Sequence, residues 1–68
     1  MQAYYVNNDQ TKNPGLHHEV HTADCAGGIV NKTYLGYFDN CVPAVAAARK
    51  IYSDADGCAK CCPNCHRG

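Results

Sequence analysis

Three short segments of the chain have residue patterns that predict β-strands: aromatic and β-branched residues in the first, and side chains that alternate across the strand in the other two. The first strand is expected over residues 3–6, because its Tyr and Val side chains favour strands. The polar segment 7–15 follows, and Pro14-Gly15 predicts a turn within it. A second strand is expected over 16–22, with two His and one Glu on one face, and a third over 31–38. These strands predict a small, mostly antiparallel sheet.

The period changes to that of a helix after the third predicted strand. Asp39 or Asn40 can cap the helix by accepting a hydrogen bond from a first-turn N–H group, and Pro43 is tolerated in that turn. The Ala-rich segment 44–52 has high helix propensity, and the helix is expected to end near 53–54. Its apolar stripe is predicted to contain Val45, Ala48 and Tyr52 or Ile51. The order of elements predicts an α+β fold with a three-stranded sheet, one main helix and a C-terminal zinc knuckle.

The size of the chain limits the number of domains and the size of the core, because 68 residues form one domain with a marginal core. Residues 1–68 are therefore expected to be a single zinc-binding domain. Large apolar side chains are few, with one Phe, no Trp and five Tyr, whereas there are six Cys and four His. Disulfides and a structural metal are the two usual means by which so small a core is stabilised.

The expected compartment favours metal over a disulfide framework. The segment MQAYYVNNDQ has neither the basic nor the apolar region of an export signal, and no apolar stretch reaches the roughly 18 residues of a membrane span. We therefore expect a cytoplasmic protein without a membrane partner. Clustered Cys in a reducing compartment more often bind metal than form disulfides.

Charge gives little support for nucleic-acid binding. Six basic and six acidic residues cancel, and they are scattered along the chain. The sequence pI is about 6.9, whereas nucleic-acid binders usually have a basic patch or a high pI. A protein partner of unknown identity is therefore expected in preference to a nucleic acid.

The pair Cys58-x-x-Cys61 is the strongest chemical signal, because two intervening residues allow a tight turn to present both sulfurs to one zinc ion. Gly57 precedes the pair and is expected to allow unusual backbone angles there. A redox-active pair is the alternative, but such a pair usually opens a helix after a strand. Here it follows a helix and a turn.

Two further ligands are needed for a tetrahedral site. Cys62 is a poor candidate, because adjacent residues point in different directions and Cys61 already points to the zinc. His21 and Cys25 lie four residues apart at the end of the second predicted strand, and they are the best candidates. One Zn²⁺ ion is expected.

The remaining thiols leave several interpretations open. Cys41 lies at the start of the predicted helix, where the dipole lowers the pKa of a thiol. A packed core thiol is the default interpretation, because free Cys is commonly buried. A reactive thiol, or a second zinc site formed by Cys41 with Cys62, Cys65 and His66, are the alternatives.

Three segments together resemble a known family. The order HTADC, then AVAAARKIYSDADG, then CAKC is similar to the zinc module of Ada-type DNA methylphosphotriester repair domains. The resemblance implies an Ada-like α+β zinc domain with His21, Cys25, Cys58 and Cys61 as ligands. In those domains a Cys takes the methyl group at the position of His21, and an imidazole does not perform this transfer. The pattern YLGxF…ADGCxxC resembles small bacterial Ada-like proteins without an assigned activity.

These observations favour a structural zinc protein that acts as a binding or interaction module over an enzyme. One alternative is a thiol methyl acceptor or redox protein that uses Cys41, Cys62 or Cys65, since activated thiolates are nucleophilic. The other is a nucleic-acid-binding module related to the DNA repair domains, which would bind with a steep salt dependence.

Overall fold

The computed structural model describes residues 1–12 and 16–66, so the predicted Pro14-Gly15 turn lies outside the described residues. The strands are β1 (Gln2–Asn7), β2 (Thr11–Lys12), β3 (Leu16–His17), β4 (Glu19–Thr22), β5 (Lys32–Phe38) and β6 (Asp56–Gly57). The helix α1 spans Cys41–Arg49, and 3₁₀ turns lie at Cys25–Gly28 and Pro63–Cys65. The predicted α+β class with one main helix is therefore confirmed, and none of the described helices is long and apolar enough to cross a membrane.

The main sheet has four strands in the order β5-β1-β4-β6, and it is mixed. Strand β1 is antiparallel to both β4 and β5, whereas β4 is parallel to β6. The prediction of three strands was therefore wrong in number, because it placed β2 in a loop and missed β6 in the main sheet. Strand β6 has only two residues and no alternating pattern, so it is a strand only because it pairs with β4.

The second predicted strand is divided at His18. Leu16–His17 pairs with β2 in a separate two-stranded sheet, whereas Glu19–Thr22 pairs with β1. His18 lies between these two strands, and its ring stacks on the Tyr52 ring with the ring centroids 3.8 Å apart. Its Nδ1 also lies 2.6 Å from an Asp54 carboxylate oxygen. These contacts join the start of β4 to the segment that follows α1.

The core lies between one face of the main sheet and α1. Alternate residues of the strands supply Tyr4, Val6 and Val20, and the helix supplies Ala44, Val45 and Ala48. The largest fully buried side chains are Val6 and Val20. Because the core contains such small side chains, its burial stabilises the fold only modestly, as expected for a chain of this length.

Helix α1 begins as predicted and ends early. Of the two predicted caps, Asn40 is the one used: its Oδ1 accepts a hydrogen bond of 2.9 Å from the Val42 N–H. The helix ends at Arg49 rather than near 53–54, because the Lys50 N–H turns to the Ala47 carbonyl three residues earlier. Tyr52 then lies beyond the helix, against His18. Val45 and Ala48 of the predicted stripe are buried, and Ile51 is exposed.

Segment 23–31 crosses the sheet on the side away from α1. Strands β4 and β5 lie on either side of β1 and are both antiparallel to it, so they are parallel to each other. The connection must therefore run back along the length of the sheet. His21 alternates with the core-facing Val20, and Cys25 of the connection lies beside His21. The crossing therefore covers the face that carries His21.

Candidate metal site

The structure brings together the four side chains that were predicted to bind zinc. The Nδ1 or Nε2 of His21 and the Sγ atoms of Cys25, Cys58 and Cys61 all lie within 4.8 Å of one another. His21 and Cys58 are buried, and Cys25 and Cys61 are half-buried. Four metal-binding atoms from three separate segments of the chain therefore converge at one point.

Strand pairing places His21 and Cys58 side by side. In the parallel pair, Val20 lies opposite Gly57, and the Cys58 N–H donates a hydrogen bond of 3.0 Å to the Val20 carbonyl. Continuing the register by one residue places Cys58 next to His21, on the same face of the sheet. The two-residue strand β6 is thus the element that delivers the C-terminal pair to the site.

Two turns deliver the other sulfurs. Cys25 begins the 3₁₀ turn of the crossing segment, where Ala26 is fully buried and fixes the turn against the sheet. The Cys62 N–H donates a hydrogen bond of 2.8 Å to the Cys58 carbonyl and closes the turn that contains Cys61. This closed turn holds the sulfurs of Cys58 and Cys61 on the same side, which is the geometry expected of a Cys-x-x-Cys pair.

The spacing of the cluster fits a tetrahedral ion. With Zn–S and Zn–N bonds of about 2.3 and 2.0–2.1 Å, neighbouring sulfur and nitrogen ligands of a tetrahedron lie about 3.6 Å apart. The measured distance between His21 Nδ1 and Cys61 Sγ is 3.7 Å. Small side-chain adjustments are therefore enough for the four atoms to surround one ion.

Glu19 lies behind His21 on the same face of β4. Its Oε1 is 3.6 Å from His21 Nε2, whereas His21 Nδ1 is the nitrogen that faces Cys61. A carboxylate on the far side of an imidazole favours a proton on Nε2 and leaves the lone pair of Nδ1 for a metal. The Glu19 and His21 side chains are both about one-tenth exposed, so little water competes for this interaction.

Burial and the close spacing of the thiols shift the pKa values of the cluster. Burial lowers the pKa of His21, against an opposing effect of Glu19, and so favours the neutral imidazole that binds metals. Desolvation, together with the neighbouring Cys61 and Cys58, raises the pKa of Cys25 to about 12. Desolvation, with further contributions from Cys62 and Cys58, raises the pKa of Cys61 to about 11. Ionised thiols at this spacing would repel each other, which helps to keep the pKa of each thiol high. A cation between them would lower these pKa values.

Cys62 lies outside the four-residue cluster. It is only 2% exposed and packs in the core with Tyr4, Val45 and Cys41. Its Sγ is 3.9 Å from Cys61 Sγ, although Cys61 turns toward His21. The burial of Cys62 raises its pKa, so its thiol stays protonated at neutral pH. The two adjacent cysteines therefore serve different parts of the molecule.

Cys41 and Cys65 form a disulfide bond, which was not predicted from the sequence. Cys41 is buried as expected, but it is not a free thiol. The alternative of a second zinc site with Cys41 and Cys65 as ligands is contradicted, because neither sulfur is free to bind a metal. The fourth member of that alternative, His66, instead has its Nδ1 3.1 Å from the Gly57 carbonyl. No local signal marks this pairing, since pairing among Cys cannot be deduced from sequence.

Gly57 has a different role from the predicted one. Among the described residues only Gly36 has a positive φ, so Gly57 does not supply unusual backbone angles. A Cβ at Gly57 would lie 2.7 Å from Cys65 Cβ and 2.8 Å from the Cys62 carbonyl oxygen. Glycine is therefore required because the C-terminal turn packs directly on its backbone.

Comparisons with protein-family models, with curated proteins and with solved structures found no match. The fold and the cluster define the class of the protein from its own geometry: a small α+β protein whose His21, Cys25, Cys58 and Cys61 side chains could hold a metal ion. The resemblance to Ada-type domains stays a prediction.

Proposed function

We propose that the protein is a small structural zinc-binding protein, in which His21, Cys25, Cys58 and Cys61 bind one Zn²⁺ ion. The observation that carries this proposal is the convergence of four ligand atoms within 4.8 Å of one another. Their identity favours zinc, because three thiolates and one imidazole in a tetrahedral arrangement are a typical structural zinc set. Hard cations such as Mg²⁺ and Ca²⁺ prefer oxygen ligands.

A structural role is favoured over a catalytic one by the number of protein ligands. A catalytic zinc site keeps one position open for water or substrate, whereas four protein ligands complete the tetrahedron. The ion would cross-link the C-terminal turn to β4 and the crossing segment 23–31, which lie far earlier in the sequence. In a protein whose largest fully buried side chains are Val6 and Val20, such a cross-link would contribute a large share of the stability.

Native mass spectrometry with and without a chelator tests the metal. The expected result is one zinc ion per chain and its loss to the chelator, and the stripped protein should unfold at a lower urea concentration than the zinc-loaded protein. Cys58→Ser is expected to abolish stoichiometric zinc binding. The matched control is Cys62→Ser, since Cys58 and Cys62 are 4% and 2% exposed and lie in the same turn, but Cys62 is outside the cluster.

The two variants separate a site from a general effect of losing a buried thiol. Cys62→Ser is expected to keep one zinc ion per chain, even if its unfolding midpoint falls. Equal loss of zinc from both variants, or a wild-type protein that binds no zinc at neutral pH, would contradict the proposal.

The role of the protein beyond metal binding is also a proposal. We place the protein with Ada-like zinc domains that act as interaction modules, and we expect a protein partner. Tyr34 and Tyr37 support this, because they are 53% and 62% exposed on β5 at the edge of the sheet, and aromatic side chains are enriched at protein interfaces. The module role, the partner and the cytoplasmic location stay predictions.

A further inference from the structure

The C-terminal turn is attached to the rest of the fold at its start, through the packing of Cys62 in the core, and at its end. At its start, the Asp56 and Cys58 N–H groups donate hydrogen bonds of 3.1 and 3.0 Å to the carbonyls of His18 and Val20 in and beside β4. At its end, Cys65 is bonded to Cys41, the first residue of α1. Cys58 belongs to the first attachment, and Cys61 lies between it and Cys62. Opening the disulfide therefore loosens the end of a segment that carries half of the metal cluster.

The disulfide can be reached from the surface on both sides. Cys41 lines a surface depression of about 200 Å³, which Tyr4, Asn40 and Cys61 also border. Cys65 lines another of about 120 Å³, between Val42, Val45, Arg49 and Asn64. Cys41 is 9% exposed and Cys65 is half-buried, so the bond is neither fully open nor sealed in the core.

The two sulfurs differ as leaving groups. Cys41 is the first residue of the nine-residue helix α1, where free N–H groups and the helix dipole stabilise a thiolate. Cys65 lies in a 3₁₀ turn of three residues, which offers no comparable stabilisation. Because a thiol that is more stable as an anion leaves faster, an incoming thiolate is expected to attack Cys65 and to displace Cys41.

From these observations we propose that Cys41–Cys65 is a site of reversible reduction by dithiols, and that its state controls how firmly the neighbouring cluster holds its metal. The second half of this inference rests on the proposed zinc function. A thiolate of the dithiol attacks Cys65 Sγ, the Cys41–Cys65 bond breaks, and its electron pair leaves on Cys41 Sγ, which takes up a proton. The second thiol of the reductant then attacks its own sulfur in the mixed disulfide. Cys65 leaves and takes up a proton, and the reductant ends as a cyclic disulfide.

Reduction loosens the metal cluster through the freedom of the chain. With the disulfide closed, the turn that contains Cys58 and Cys61 is held near its bound geometry before metal arrives. Once the disulfide is open, the chain beyond Cys61 is held by the packing of Cys62 and by the contact of His66 with Gly57, and metal binding must order it further, which costs free energy. Because this ordering opposes metal binding, we expect metal affinity to fall by about tenfold or more.

The first experiment tests the reduction without reference to metal. Folded wild-type protein is treated with dithiothreitol, its free thiols are alkylated, and the modified residues are identified by mass spectrometry. Alkylation of Cys41 and Cys65 under conditions that leave the protein folded is expected. A disulfide that is reduced only after the protein is unfolded by urea would overturn the proposal.

The second experiment measures the transfer of zinc to a competing chelator. Oxidised wild-type protein is expected to release zinc about tenfold more slowly than the reduced protein or a Cys41→Ala, Cys65→Ala double variant. The double variant controls for metal binding by the reductant, because dithiothreitol should leave its rate unchanged. Equal rates for oxidised and fully reduced wild-type protein would overturn the coupling. If neither form binds zinc, the proposed function and the coupling both fail, and the alkylation result still decides whether the disulfide is exchangeable.

Discussion

His21 depends on a neighbour that the metal-ligand pattern does not include. Glu19 lies two residues earlier on the same strand face, and its Oε1 is 3.6 Å from His21 Nε2. Carboxylates in this position orient a ligating imidazole and raise its basicity. The ligand pattern alone would have identified His21 but not the residue that selects its tautomer.

Glu19→Gln is therefore expected to weaken zinc binding about 10- to 100-fold, the usual effect of losing such a carboxylate. Affinity would be measured by competition with a chromophoric chelator. Asp9→Asn is the matched control, because Asp9 is an exposed carboxylate outside the cluster. An affinity of Glu19→Gln equal to that of the control would show that Glu19 does not act on His21.

Gly57 is a residue whose importance arises from a close approach. Gly57→Ala places a methyl group 2.7 Å from Cys65 Cβ and 2.8 Å from the Cys62 carbonyl oxygen, so the C-terminal turn must shift. The expected cost is about 1–3 kcal/mol of unfolding free energy, as for other overpacked positions. Urea unfolding of the zinc-loaded protein measures it.

Gly27→Ala is the control for this variant, since no atom lies within 4 Å of a Cβ at Gly27. Its effect should stay within about 0.5 kcal/mol. Equal stabilities of the two alanine variants would mean that the turn does not pack on Gly57 as described.

At the scale of elements, α1 depends on a local cap and on the disulfide at its first residue. Asn40 accepts a hydrogen bond of 2.9 Å from the Val42 N–H. Asn40→Ala should lower the unfolding free energy by about 1 kcal/mol, measured by thermal or urea unfolding. Asp39→Ala removes the neighbouring exposed side chain, which is not the cap, and should be near neutral. A larger effect at Asp39 than at Asn40 would contradict this assignment.

At the scale of the whole molecule, the pKa values of the cluster predict opposite pH dependences with and without metal. Cys61 and Cys25 rise from an ordinary value of 9.0 to about 11 and about 12 in the folded protein. Above pH 9 the unfolded chain therefore releases these protons while the fold retains them. The contribution of these two thiols to the stability of the metal-free protein is fully present below about pH 9 and is lost as the pH rises toward 11 and 12.

Zinc reverses this trend, because bound thiolates carry no protons and acid must displace the metal to restore them. Unfolding free energies measured against pH, in chelator and in zinc, should therefore fall at alkaline pH in chelator and at acidic pH in zinc. Cys25→Ala in chelator should show a shallower alkaline decline, since it removes one of the shifted thiols. Parallel pH profiles with and without zinc would contradict the assignment of the thiols as ligands.

Local physical chemistry explains what could be predicted from the sequence alone. Residues 3–6 and 31–38 carry aromatic and β-branched residues that favour strands, Asn40 precedes an Ala-rich run, and Cys58-x-x-Cys61 is a turn whose two sulfurs face one side. These features depend on neighbours within a few residues, where pattern and propensity act directly. The α+β class and the C-terminal pair follow from them.

Tertiary structure decided the features that depend on contacts between distant segments. The pairing of Asp56–Gly57 with β4, the division of the second predicted strand at His18, and the bond from Cys41 to Cys65 have no local signature. Each arises because the crossing segment, the helix and the tail must share one small core, where the space left by one element determines the contacts of the next. The sequence by itself therefore determined which side chains were available for the metal cluster, and the fold decided which of them meet.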